Sequence, residues 1–267
     1  MNDDCTFNFP SQCNNMNSIS GHTLVVTGGA SGIGLALAIR FLQSGNKVIL
    51  VGRRANKLNE AKAAHPDFHT VVGDMTTPES REALFLLLTT QHPDIDVFVH
   101  NAGIQRAVDL KEGLVPNWKT VSSEIDIYYA GVIHMTMLWI PHFLKKSFAA
   151  FINVTSGLSF APYAAVPVYS STKAALHSFT WSLRHQLADT PIKVIEIVPP
   201  AVDTDLQAPG LHKFGANVDE FADSVYGRLS AGEDEIGFGT AEDRRVDFRN
   251  TFGAGFAALN SQSHFKK

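Results

Sequence analysis

Cysteine is nearly absent from this chain: Cys5 and Cys13 are its two thiols, and both lie in a polar N-terminal stretch. Two thiols cannot make a disulfide framework, and the scattered histidines show no metal-ligand spacing, so neither a disulfide-built domain nor a metal site is expected. Charge of one sign is also lacking. Lys and Arg number 22 against 26 Asp and Glu, a net charge of −4 with no basic run. Such a chain has no electrostatic footprint for nucleic acid or an anionic membrane. Long apolar runs are missing too. Ala83–Leu88 is among the longest, far short of the roughly 20 residues that span a bilayer. Residues 1–20 hold Asp3 and Asp4 and no apolar stretch, so they read as a flexible leader and not as a secretory signal. The expectation is a cytoplasmic protein with no membrane or nucleic-acid partner.

What the chain does have is hydrophobic material, 45% of 267 residues, enough to bury a sizeable core. From Gly21 onward, short β-branched runs recur at Leu24–Thr27, Val48–Val51, Thr70–Val72, Val97–His100, Phe151–Val154 and Val194–Val198. Stretches of helical period separate them: Ile33–Gln43, Ala55–Ala64, Glu79–Thr90, Trp118–Leu144 and Val168–Leu187. Strands apolar on both faces, alternating with helices, define an α/β fold, a doubly wound parallel sheet of Rossmann type. No internal repeat or linker divides residues 21–260, so one domain is expected.

The first strand runs into Thr27-Gly28-Gly29-Ala30-Ser31-Gly32-Ile33-Gly34. Glycines permit a tight turn and close backbone approach to a pyrophosphate, and the helix that follows presents free N–H groups and a partial positive charge. Gly28, Ser31, Gly32, Ile33 and Gly34 are therefore candidate cofactor residues. The second strand ends Val51-Gly52-Arg53-Arg54. An acidic residue in this place would hold a ribose 2′-hydroxyl; Arg53 and Arg54 instead suit a 2′-phosphate, which favours NADP(H) over NAD(H). Asp74 and Met75 follow the third strand at the sheet edge where ligands bind in such folds.

Tyr169-Ser170-Ser171-Thr172-Lys173 sets a phenol and an ammonium four residues apart, on one face of a helix. A nearby ammonium and a cationic nicotinamide would lower the phenol's pKa from its ordinary ~10 toward a usable range. Ser156 precedes the tyrosine by 13 residues, at the end of a strand. Its hydroxyl and that of Tyr169 could polarise one substrate carbonyl while a cofactor delivers hydride.

With these residues the chain resembles the short-chain dehydrogenase/reductase family in its single-domain branch. The resemblance rests on Thr27–Gly34, Asp74, His100-Asn101-Ala102-Gly103, Ser156, Tyr169-x-x-x-Lys173 and Pro199-Pro200-Ala201-Val202-Asp203-Thr204. It implies about seven parallel strands and an oxidoreductase acting on a ketone or secondary alcohol. It places Asn101, Ala102 and Gly103 beside the adenosine half of the cofactor and Thr204 near the nicotinamide carboxamide, with Pro199 and Val202 also among the cofactor-binding residues. It has Lys173 bonding the nicotinamide ribose, and homodimers or homotetramers built on the long helices flanking the Ser156 strand. Asn153–Leu158 and Val198–Leu206 are similar to the branch linked with D-alanine esterification of teichoic acids, a label for a gene neighbourhood that carries no substrate here.

The chain departs from the family at Tyr128, where Glu124-Ile125-Asp126-Ile127-Tyr128-Tyr129 puts tyrosine in place of an asparagine that helps hold a relay water. Two readings follow: a rearranged relay with reductase activity retained, or a largely non-redox role such as a cofactor-dependent isomerase, cyclase or sensor. The substrate pocket is expected from Ile104, Gln105, Tyr128, Leu158, Phe160 and Pro200, under a lid near residues 205–219. That lining points to a small hydrophobic carbonyl or alcohol.

Overall fold

A computed structural model describes residues 20–113, 117–208 and 210–248. Apart from Ser20, the leader expected over residues 1–20 lies outside the described residues, as does the end of the expected domain beyond Phe248.

Seven parallel strands form one sheet: β1 (Thr23–Thr27), β2 (Lys47–Gly52), β3 (His69–Val72), β4 (Val97–His100), β5 (Ala149–Val154), β6 (Ile192–Val198) and β7 (Glu235–Gly237), in the spatial order 3-2-1-4-5-6-7. Alternate residues of each strand point to opposite faces. Leu24 and Val26 of β1, and Ala150, Ile152 and Val154 of β5, therefore enter one core with α1 (Gly32–Gln43), α2 (Ala55–Ala64) and α7 (Val218–Ser230). Val25, Phe98 and Phe151 enter the other core, with α3 (Pro78–Gln91), α5 (Gly131–Phe143) and α6 (Pro167–Gln186). Trp139, Phe143 and Phe98 are fully buried there. Both faces of the sheet are thus dry, which is why the strands read as near-continuous apolar runs. β7 is too short and too mixed in composition to stand out as a strand run.

The chain reverses its direction of strand addition between β1 and β4. At such a switch point the loops at the carboxyl ends of the strands diverge and leave a crevice.

One long helix was expected over Trp118–Leu144. The structure divides it into α4 (Trp118–Ile125), a π-helical turn (Asp126–Ala130) and α5. Gly131 N–H bonds the carbonyl of Asp126, five residues back. Nη1 of buried Arg81 also donates to that carbonyl at 3.2 Å, and to Met75 O at 3.0 Å. The extra residue in this turn is held by a side chain from α3, so periodicity along the segment could not reveal it. α8 (Thr240–Val246) closes the described chain.

Candidate active site

A cleft of about 1830 Å³ lies along the carboxyl ends of the strands, lined by residues of the glycine turn, the β2, β3 and β4 ends, the Ser156 loop, α6 and the segment after β6. Every candidate cofactor residue reaches it: Gly28, Ser31, Gly32, Ile33, Gly34, Arg53, Arg54, Asp74, Met75, Asn101, Ala102, Gly103, Pro199, Val202 and Thr204, together with Tyr169 and Lys173.

At the glycine turn, Gly28 has φ +66, and a Cβ there would sit 2.8 Å from Ala102 Cα, so the close approach of β1 to the loop after β4 needs glycine. Asn101 fastens that approach, its Nδ2 donating to Thr27 O at 2.9 Å and Gly28 O at 3.3 Å. Arg54 Nη2 donates to Ser31 Oγ at 3.1 Å, bringing an exposed guanidinium over the turn. Asp74 serves its own loop first: Oδ1 accepts from Thr76 N at 2.9 Å and Thr76 Oγ1 at 2.6 Å, while Thr77 caps α3. This cradle of positive-φ glycine and helix N-terminus, with the Arg54 guanidinium beside it, fits a dinucleotide diphosphate.

Ser156, Tyr169 and Lys173 converge further along the cleft, all three buried. The Ser156 hydroxyl accepts from Leu158 N–H at 3.1 Å and hydrogen-bonds the Tyr169 phenol. Lys173 Nζ donates to Val154 O at 2.6 Å. The expectation that its ammonium lowers the Tyr169 pKa is not met in these residues alone. Burial pushes Tyr169 up to about 12, with the Ser156 hydrogen bond opposing it. Burial also pushes Lys173 down to about 7, with the negative charge of Glu196 opposing. The low dielectric that strengthens contacts in this site penalises both charged forms.

Tyr128 packs against both members of this pair and helps bury them. It rides on the π-helical turn and is 3% exposed, with its ring 4.1 Å from Lys173 Nζ and edge-on to Tyr169 at 5.3 Å between centroids. Its hydroxyl fills the space above Gly103 that a side chain there would need, and it hydrogen-bonds the Ile104 backbone. Burial holds the Tyr128 phenol protonated, well above its ordinary range. The ring thus meets Lys173 as a cation–π partner.

Ile104, Gln105, Tyr128, Leu158 and Pro200 line the cleft as expected of a substrate end. Phe160 does not. It is buried with Val198 and Ala241 and stacks edge-on against His177 at 4.6 Å, because the short 3-10 turn at Gly157–Ser159 carries it behind the Ser156 loop. The segment expected as a lid is tied at its base by hydrogen bonds from Asp203 N to Ala216 O and from Ala216 N to Ala201 O, both 2.9 Å. Leu206, Leu211 and Phe214 of this loop face the cleft, and Phe214 is 78% exposed.

Sequence reasoning passed over two groups. Glu196 and Glu235 are register partners on β6 and β7, so they lie side by side. Glu196 is bound by Thr155 Oγ1 at 2.6 Å and His177 Nδ1 at 2.9 Å, one residue from Ser156 and one helical turn from Lys173. Only the pairing of β6 with β7 shows it. Glu124, one turn before Tyr128, is 1% exposed, and Arg106 is its neighbour, through its backbone and with Nη1 4.0 Å away. Burial raises its carboxyl to about 7, against the pull of Arg106. An acid on the buried face of an otherwise amphipathic helix was the available signal.

Because the folded form holds this proton above the unfolded carboxyl's pKa, stability falls as pH rises from about 4.5 through about 7. Glu124→Gln is expected to gain about 1–2 kcal/mol relative to wild type at pH 8 compared with pH 5. Urea unfolding at the two pH values measures this, and an equal difference at both would count against it.

A profile of the short chain dehydrogenase family matches residues 22–213. The chain belongs to the short-chain dehydrogenase/reductase family and is an oxidoreductase of that family. It is 39% identical over 251 residues to the uncharacterized oxidoreductase DltE of Bacillus subtilis, covering 92% of this chain and 99% of that one. An uncharacterized oxidoreductase of Staphylococcus epidermidis is 34% identical over 192 residues, 72% of this chain and 82% of its own. Among solved structures, a Burkholderia cenocepacia short chain dehydrogenase in complex with NADP matches at 26% identity with a TM-score of 0.77, over 91% of this chain and 98% of that one. A Burkholderia phymatum short chain dehydrogenase/reductase in complex with NAD shares the fold at 18% identity and a TM-score of 0.75, over 94% and 99%. Among the described residues no helix is long and apolar enough to cross a membrane.

Proposed function

We propose that this protein transfers hydride between NADP(H) and a ketone or secondary alcohol, with Tyr169 as acid and base. The convergence of Ser156, Tyr169 and Lys173 in the cleft that begins at the glycine turn carries this reading. Gly28, Ser31 and Gly32–Gly34 would hold the diphosphate, Arg53 and Arg54 the 2′-phosphate, and Asn101–Gly103 the adenosine side. A nicotinamide held this way supplies or accepts the hydride. Ser156 and Tyr169 orient the carbonyl oxygen, and Tyr169 gives that oxygen its phenolic proton as the alcohol forms. Lys173 positions the ribose and restores the proton of Tyr169. The phenol form that burial enforces on Tyr169 is the form that carbonyl reduction requires.

The preference for NADP(H) rests on Arg54 reaching Ser31, with Gly52 where an acid would stand. Arg54→Glu is expected to weaken NADPH binding about 10- to 100-fold and NADH binding far less; fluorescence titration of both cofactors measures it. Equal losses would remove Arg54 from the 2′-phosphate site. Exposed apolar side chains at Met137 on α5 and Trp181 on α6 support a homodimer or homotetramer, and nothing in the described chain conflicts with a cytoplasmic protein.

The second reading, a largely non-redox protein, is favoured by Tyr128 shutting water away from Lys173. NADPH consumption over a panel of ketones decides between the two. Tight NADPH binding with no oxidation by any ketone would sink the hydride-transfer reading.

A further inference from the structure

Three arginines on or beside α8 have different surroundings. Arg228 Nη2 reaches Glu233 at 2.6 Å and Glu242 at 3.3 Å, and Arg245 Nη2 reaches Glu242 at 2.7 Å. These two are committed to carboxylates behind the site. Arg244, the residue before Arg245, lines the cleft instead. Among the described residues it has no hydrogen bond and no ion pair, and the one charge acting on it is its exposed chain neighbour Asp243.

Its position relative to the reacting atoms is set by Gly157. A Cβ on Gly157 would lie 3.5 Å from Arg244 Nη1 and 2.9 Å from Ala241 Cβ, so α8 packs directly against the residue that follows Ser156. The missing side chain lets the guanidinium lie against the residue that follows Ser156, and both Ser156 and Arg244 line the same cleft. A half-buried guanidinium that lines the cleft with no protein carboxylate paired to it is free to take its counter-charge from a ligand. Lys173 and Arg106 also line the cleft, whereas Ile104, Leu158, Tyr163 and Val166 give it uncharged walls.

We propose that Arg244 is an anion-recognition residue for the substrate, which is a carbonyl compound bearing a carboxylate, a keto acid on reduction and a hydroxy acid on oxidation. This rests on the hydride-transfer reading and narrows its substrate class. The carbonyl oxygen lies on Ser156 and Tyr169, the apolar body meets Leu158 and Val166, and the carboxylate pairs with the fork of Arg244, a geometry that guanidinium serves better than ammonium.

The test uses the full-length enzyme with NADPH and matched pairs, phenylglyoxylate against its methyl ester and benzoylpropionate against its methyl ester. Wild type is expected to favour the acids in kcat/KM by about tenfold or more, and Arg244→Gln to collapse that acid-to-ester preference about 10- to 100-fold, chiefly through KM. Arg244→Lys should restore part of it. Calorimetric titration of the acids into enzyme with NADPH gives a reading that needs no turnover. Binding of an acid that depends on Arg244, without NADPH oxidation, would keep the anion site and sink the hydride-transfer reading. Turnover of esters and acids alike with no change in Arg244→Gln would keep that reading and overturn the anion site. Absence of Arg244-dependent binding for every acid would also overturn it.

Discussion

Tyr169→Phe is expected to lower carbonyl reduction by about 10²- to 10⁴-fold, the range that general acid catalysis contributes. The variant should bind NADPH within a small factor of wild type. The phenolic oxygen is the one group here able to give a proton to a carbonyl held by Ser156. Lys173 already donates to Val154 O, and Tyr128 turns its hydroxyl toward Gly103 and Ile104 instead of the cleft's reacting end. Removing the oxygen while keeping the ring preserves the edge-on packing against Tyr128, so the fold should lose little. Steady-state rates with a ketone and a fluorescence titration of NADPH separate the two effects. Activity equal to wild type would defeat the acid–base role.

Tyr128→Asn has the next largest effect, and its sign separates the two readings of that residue. Taking away a ring that is 3% exposed and lies on Lys173 and Tyr169 should destabilise the protein by about 2–4 kcal/mol, as deletions of large core side chains do. The same change admits water to Lys173. Its pKa, held near 7 by burial, should climb toward that of an ordinary lysine. Because the charged ammonium is the form that assists Tyr169, the alkaline fall in reductase activity should move up by at least about one pH unit. Reduction at neutral pH is then retained or raised despite the lower stability. A pH–rate profile and a urea titration check both parts. Complete loss of activity in a folded variant would assign Tyr128 a direct part in catalysis or substrate binding.

The glycine turn and the Tyr169–Lys173 pair were legible because each is written in consecutive residues whose local conformation follows from their chemistry. Gly28 must adopt positive φ wherever a strand turns this tightly into a helix, and residues four apart share a helix face in any fold. The parallel sheet was legible for a related reason, since strands buried on both faces can hold little but apolar residues. Phe160 shows the limit of this kind of reasoning. It was expected in the pocket, and after the three-residue 3-10 turn at Gly157–Ser159 it packs instead with Val198 and Ala241.

By itself the sequence determined the order of the first six strands, the glycine turn, and which residues are proposed as acid, base and orienting hydroxyl. Only the tertiary structure decided their protonation. Tyr128 packing on Lys173 from the π-helical turn, Glu196 brought beside Thr155 and His177 by the pairing of β5 with β6, and Glu124 enclosed beside Arg106 are contacts between distant segments. Charge is set by how much water and which partners reach a group, and that depends on packing in three dimensions. The same holds for Arg244: nothing in its local sequence distinguishes it from Arg245, and the docking of α8 on Gly157 sends one to the cleft and the other to Glu242.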